Sequence, residues 1–343
     1  MTKSIDLLYN DAMATLQTPG RLPDFLIVGA PKAGTTALHA ALTQHPQLAM
    51  SAVKEPKYFL CGDVPPPLFT GPGDAHSRRE WIWRRDEYRD LFPDPTAEVL
   101  SGESTPLYLA DADARRRIAD TIPHARLICV LRDPVDRAYS NWTHLWVDGL
   151  EPIADVVEAC LAEPQRIHDG WAPFWHYLRL GRYGEQLAAL YELFPRDQVL
   201  VIRYRDVVDA PGQTLDRVCE FLGVRSGAVS AIPGDNTRPF VAEGWQTRAL
   251  SSAVRAGSRV GSAFEPQAWR RVSRPLVKAL HRRGRAERPT LTAEQRRTLL
   301  DHFRTDLDLL EQVTQQSFAD WRGETGQGAF ASRVADQTAV ASR

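Results

Sequence analysis

A short apolar run that stops on glycine and passes straight into a helical pattern limits a chain to few architectures. Residues 24–30 (DFLIVGA) form such a run, and PKAGTT leads from it into TTALHAALTQH (35–45). There Ala37, Leu38, Ala41 and Leu42 share one helical face, and Pro46 ends the pattern. The arrangement recurs twice. HARLICVLRD (124–133) precedes PVDRAYSNWTHLW (134–146), with Asp133 as N-cap and Pro134 in the first helical position. QVLVIRYRDV (198–207) precedes APGQTLDRVCEFLGV (210–224), with Gly223 near the helix end. Buried strands alternating with helices predict an α/β fold with a parallel sheet covered on both faces. Ligands of such sheets gather beyond the carboxyl ends of the strands, so the loops after residues 30 and 131 are where a site is expected.

The 343 residues allow one large domain, expected over 1–322 with its core at about 24–224 and a basic, irregular and helical part over 225–322. TAEQRRTLLDHFRTDLDLLEQVTQ (292–315) reads as one amphipathic helix, and LGRYGEQLAALYELFP (180–195) as another with Leu187, Leu190 and Leu193 as core candidates. The tail over 323–343 has the composition of a disordered segment. Residues 1–22 read as a short amphipathic lead-in that lacks the apolar core of a signal peptide, and no stretch reaches membrane-spanning length. Four widely spaced cysteines include no C-x-x-C pair, so neither zinc nor another metal is expected; Cys129 and Cys219 read as core residues of a reducing, cytoplasmic compartment. A net charge of −1 gives no global attraction to nucleic acid or membrane.

GAPKAGTT has the glycine separation of a nucleotide-triphosphate loop but the wrong lysine. In G-x-x-x-x-G-K-[S/T] the lysine follows the second glycine. Here Thr35 follows Gly34, and Lys32 precedes it. The backbone N–H groups of Ala33, Gly34, Thr35 and Thr36 lie at a helix start, where they and the threonine hydroxyls suit an oxyanion. An ordinary strand-to-helix turn is the bland alternative. Only five of 42 basic residues are lysines, and Lys32, Lys54 and Lys57 all fall in two short motifs.

In VLRDPVDRAYSNW, Arg132 closes a strand and Ser140 lies two turns up the following helix, on the face of Asp133. A guanidinium with a hydroxyl suits a phosphate monoester; pairing of Arg132 with Asp133 or Asp136 is the alternative. Two anion sites imply a nucleotide phosphorylated at both ends of its ribose. PKAGTT together with LRDPVDRAYS resembles the 5′- and 3′-phosphate motifs of the sulfotransferases, above all the glycan-modifying branch with the heparan sulfate enzymes and bacterial relatives. The likeness covers residues 24–222 and implies a P-loop-like sulfotransferase fold. It implies 3′-phosphoadenosine 5′-phosphosulfate (PAPS) as donor, adenosine 3′,5′-bisphosphate (PAP) as product, a hydroxyl-bearing acceptor and no metal. It also assigns Lys32 to the oxygen bridging phosphate and sulfate.

Sulfuryl transfer to an alcohol needs a base beside the acceptor and positive charge on the departing oxygen. Glu55 in SAVKEPKYF (51–59) resembles the catalytic glutamate of the glycan branch; a surface salt bridge to Lys54 or Lys57 is the alternative. Cytosolic small-molecule sulfotransferases use a histidine in a comparable region, and His39 and His45 read instead as partly exposed helix residues. GESTPLYL (102–109) departs from the family, with Ser104 where heparan-type enzymes carry a functional lysine. Glu103 is a second candidate carboxylate, or else a salt-bridge partner or strand-end cap. Tyr183 is a candidate nucleotide contact or a core aromatic, and Arg238 in GDNTRPF a candidate 3′-phosphate contact or an exposed loop residue. The arginine-rich segment 248–288 reads as a solvated basic face or as a cover for nucleotide or acceptor. EWIWRRDEYRDLF (80–92) either borders the acceptor cleft or packs as a helix through Trp81, Tyr88 and Leu91. A degenerate phosphate-loop kinase and a non-catalytic nucleotide-binding scaffold are the competing functions.

Overall fold

The structure, a computed structural model, describes residues 21–92, 99–233, 240–241, 244–261, 285–286 and 288–323. The expected lead-in, Arg238, most of the segment 262–287 and the tail from 324 lie outside the described residues.

Five strands form one parallel sheet: β1 (Phe25–Gly29), β2 (Leu48–Met50), β3 (Leu100–Ser104), β4 (Arg126–Leu131) and β5 (Val199–Arg203), in the order β2-β3-β1-β4-β5. β1 is buried at every position and β4 at every position but Arg126, as a sheet covered on both faces requires. Register places Phe25 opposite both Gly102 of β3 and Arg126 of β4. The chain leaves β1 toward β2 and leaves β4 toward β5, so the crossovers diverge between β1 and β4. A crevice opens at that switch point, beyond the strand ends.

The helices that follow these strands start where the sequence places them. Helix α1 (Thr35–Leu42) follows β1, and α2 (Ala112–Thr121) precedes β4. Helix α3 (Pro134–Val147) begins on Asp133, whose carboxylate accepts from the N–H groups of Val135 (2.9 Å) and Asp136 (3.1 Å). Helices α4 (Tyr183–Tyr191) and α5 (Pro211–Leu222) follow, the latter ending on Gly223 in the left-handed conformation. Leu187 and Leu190 of α4 are buried, but Leu193 lies beyond the helix and is exposed. His45 is buried rather than partly exposed, with its ring bonded to the Arg225 carbonyl (2.8 Å) and the Gln47 N–H (3.1 Å). Trp81 and Tyr88 are buried around a short helix, Arg85–Arg89.

Helix α6 (Trp245–Gly261) lies in the basic segment. The expected helix over 292–315 is two helices, α7 (Ala293–Asp301) and α8 (Arg304–Thr314), separated where Phe303 turns wholly into the core. The break lets both parts serve the sheet. Asp306 of α8 caps α4, accepting from the N–H groups of Gly184 and Glu185 at 2.9 Å each. A Cβ on Gly184 would stand 2.3 Å from the Asp306 carbonyl oxygen, so only glycine permits this approach. All four cysteines are buried thiols.

Candidate active site

The loop after β1 turns on two left-handed residues, Lys32 (φ 66°) and Gly34 (φ 81°). At Gly34 a Cβ would meet the Tyr204 ring at 2.7 Å, so conformation and space both demand glycine. The first helical bond runs from the Leu38 N–H to the Gly34 carbonyl (3.1 Å), which leaves the Gly34, Thr35 and Thr36 N–H groups ahead of the ladder. Ala33 differs from expectation: its N–H closes the turn onto the Ala30 carbonyl (3.3 Å) and is committed there. The Thr35 side chain is buried and that of Thr36 exposed.

Lys32 reaches across to α3. Its ammonium lies 3.4 Å from Nδ1 of His144, whose Nε2 is 3.7 Å from the Asp148 carboxylate. An ammonium only donates, so Nδ1 accepts and the imidazole proton faces Asp148. Arg132, at the end of β4, donates to the Lys32 carbonyl (3.2 Å), and its guanidinium lies 4.8 Å from the Tyr204 ring centroid. Asp133 and Asp136, the partners considered for Arg132, are held instead by Arg296 of α7. Burial and the neighbouring Asp136 push the Asp133 carboxyl up to about 7, against the pull of Arg296.

Ser140 is partly exposed on α3, next to Tyr139. The Tyr139 hydroxyl donates to the Pro289 carbonyl, and the Arg288 guanidinium sits 4.1 Å from its ring centroid. Arg288 was not singled out in the sequence. Its pKa is lowered by desolvation against the opposing effect of Tyr139, and the charge of Arg132 adds to the lowering. Tyr183 is wholly buried against Trp321, which places it in the core rather than at the surface of the crevice.

Beside this crevice lies the carboxylate loop. Glu55 (φ 61°) and Lys57 (φ 66°) flank Pro56 in left-handed conformations. Lys32, Glu55 and Lys57 thus make up three of the five non-glycine residues with positive φ among those described. Such strain persists where surrounding structure over-determines it, and it concentrates at functional sites. β3 supplies the restraint here. The Ser104 carbonyl accepts from the Glu55 N–H (3.0 Å), and Thr105 Oγ1 accepts from the Lys57 N–H (3.3 Å). The Glu55 carboxylate pairs with Lys54. Burial pushes the Glu55 carboxyl up, but the charges of Lys54, Lys57 and Lys32 outweigh it and hold the group below the usual carboxylate range. The field of Lys32 therefore reaches Glu55, and the two candidate catalytic residues share one site.

Glu103 lies beneath, fully buried among hydroxyls: Tyr88 donates to it at 3.2 Å and Thr105 at 2.8 Å. Burial raises its pKa to about 7, partly offset by those hydrogen bonds. Ser104 is also fully buried, and its Oγ is 2.8 Å from Nδ1 of His39. A cleft of about 780 Å³ opens elsewhere, lined by Asp24, Leu100, Arg126 and Gly223 at the amino ends of the strands. The charged side chains converge at the opposite ends, where strand-end chemistry belongs. Among the described residues no cluster of acidic, cysteine or histidine side chains could hold a metal ion, and no helix is long and apolar enough to cross a membrane.

Residues 22–238 match the family model of the sulfotransferase domain. The chain belongs to that family. Its sulfotransferase domain is 32% identical over 225 residues to human bifunctional heparan sulfate N-deacetylase/N-sulfotransferase 3, covering 64% of this chain and 24% of the relative. It is 29% identical over 205 residues to mouse heparan sulfate glucosamine 3-O-sulfotransferase 3B1, covering 60% of this chain and 47% of the relative. The chain thus spans about a quarter to a half of the length of these relatives. Among solved structures, the sulfotransferase from Alicyclobacillus acidocaldarius superposes with a TM-score of 0.67 at 28% identity, over 88% of this chain and 99% of that one. The parallel α/β sheet and the family both agree with the sequence reading.

Proposed function

We propose that this sulfotransferase domain moves a sulfuryl group from PAPS to a hydroxyl of a small molecule, lipid or sugar, without a metal. The observation that carries the reading is the union of two cationic loops at the switch point, with Arg132 bonded to the Lys32 carbonyl and the Lys32 charge acting on Glu55. The donor set suits PAPS: N–H groups and an ammonium for the 5′ end, two guanidiniums and a hydroxyl for the 3′-phosphate. Bound there, PAPS supplies the activated sulfuryl group. Gly34, Thr35 and Thr36 direct N–H groups at its 5′-phosphate, while Arg132, Ser140 and Arg288 hold the 3′-phosphate.

Glu55 accepts the acceptor's proton as the hydroxyl oxygen bonds to sulfur. Lys32 and the α1 N-terminus stabilise negative charge on the phosphate oxygen as its bond to sulfur breaks. The lysine charges keep Glu55 ionised at neutral pH, ready to take that proton. Catalysis then rests on positioning and electrostatics, as in phosphoryl transfer. Arg238 remains a proposed 3′-phosphate contact outside the described residues.

Titration with PAP and AMP, combined with transfer of radiolabelled sulfate from PAPS to matched hydroxyl and amino acceptors, tests the proposal. PAP binding well above AMP, with label reaching hydroxyl acceptors, is expected. Equal affinity for PAP and AMP removes the 3′-phosphate site and the assignment with it.

A further inference from the structure

One histidine couples the cradle helix to the carboxylate loop. His39 lies on α1, one turn beyond Thr35 and Thr36. Its Nδ1 lies 2.8 Å from the buried Ser104 Oγ at the end of β3. A neutral ring with its proton on Nε2 accepts there from the Ser104 hydroxyl. Ser104 in turn accepts the Glu55 N–H through its carbonyl. A short path therefore runs from the cradle through His39 and Ser104 to the main chain of Glu55.

We propose that His39 is a positioning residue, a neutral imidazole that sets the place of Glu55 relative to the α1 N-terminus through its bond to Ser104. The proposal rests on reading Glu55 as the base. Its physical force is geometric: displacement of a reacting group by about 1 Å costs roughly 100-fold in rate. It also gives the buried Ser104–His39 pair a role, since neither side chain carries charge at neutral pH. A protonated ring can still donate to the Ser104 oxygen, but burial disfavours its charge, so the closed arrangement favours the neutral form. Burial, and then the charge of Lys54, lowers the His39 pKa from 6.5 to about 4, against the opposing effects of the Ser51 backbone and Glu55. Lys54 and Glu55 are the charged groups that act on the ring from the loop, and β3 presents the neutral Ser104.

Amide hydrogen exchange on the full chain tests this in wild type, His39→Ala and His39→Gln, with rates corrected for the intrinsic effect of pH. At pH 7 His39→Ala should accelerate exchange at Glu55 and Lys57 at least tenfold, with the amides of β4 unchanged. His39→Gln, which accepts and donates without titrating, should restore much of that protection. Wild type should lose it as pH falls from 6.5 toward 4, while His39→Gln shows no such loss. Wild-type exchange in His39→Ala, or an identical pH profile in wild type and His39→Gln, overturns the proposal. PAP titration of the same proteins separates the two readings. Kd within twofold across the series is expected; a wild type that binds no PAP removes the proposed function and leaves the exchange result standing.

Discussion

The Arg132 guanidinium donates to the main-chain carbonyl of Lys32 at 3.2 Å, so the loops of two neighbouring strands are joined through the residues that carry their charge. Arg132 has a second anchor in the Tyr204 ring and a nearby cation in Arg288. A charge-assisted hydrogen bond contributes about 1.5–3 kcal/mol, so Arg132→Ala should weaken PAP binding roughly 10- to 150-fold and leave AMP binding nearly unchanged. Arg132→Lys keeps charge but loses the fork and should recover only part of the affinity. Calorimetric titration with both nucleotides checks this, and equal losses for PAP and AMP would place Arg132 away from the 3′-phosphate.

Lys32 and Glu55 should separate from the binding residues in kinetic behaviour. Removing a donor aimed at developing charge costs about 10²–10³ in turnover, and removing a general base about 10²–10⁴. Lys32→Ala and Glu55→Gln should each show losses of that order in radiolabel transfer while both remain folded. Glu55→Gln should bind PAP within about twofold of wild type, because its proposed task concerns the acceptor and not the nucleotide. Retained turnover in either variant excludes that residue from the chemistry.

Gly34 is constrained twice, by a φ of 81° and by the Tyr204 ring 2.7 Å from where a Cβ would lie. The left-handed conformation alone costs a side-chain-bearing residue about 1–2 kcal/mol. Gly34→Ala should therefore lower stability by more than this, and the same substitution in a Tyr204→Ala background should cost less. The double-mutant cycle, measured by denaturant unfolding, isolates the ring contact. Additive effects would mean that the loop can withdraw from the ring.

The parts that were legible in the sequence share a property: their signal is local. β1, β4 and β5 are nearly unbroken apolar runs, and Asp133, Pro134 and Gly223 mark helix ends by residue type alone. β3 carries no apolar run, since LSGES is largely polar. Its Ser101, Glu103 and Ser104 are buried all the same, and Glu103 and Ser104 are hydrogen-bonded there. β2 has only three residues. The anion loop was legible because its donors are consecutive. His39, Tyr204, Arg288 and Arg296 escaped because their partners are distant in the chain. Tyr204 did leave a trace, since it directly follows β5 at the ligand-bearing end of the sheet.

Glu103 gives the sharpest dependence on pH. Burial lifts its carboxyl from an ordinary 4.5 to about 7, while hydrogen bonds from Tyr108, Thr105 and Tyr88 pull the other way and the charge of Glu55 adds to the rise. A carboxyl whose pKa is higher in the folded state binds more protons there than in the unfolded state. Its contribution is therefore complete below pH 4.5 and lost as pH rises through about 7. Glu103→Gln removes this titration. Any penalty from replacing an acceptor oxygen by an amide is a constant offset, independent of pH. The stability of the variant relative to wild type should accordingly improve by on the order of 3 kcal/mol between pH 4.5 and 8, measured by denaturant unfolding at fixed ionic strength. A flat difference across that range would mean that Glu103 is ionised in the fold, placing a second negative charge beside Glu55 at neutral pH.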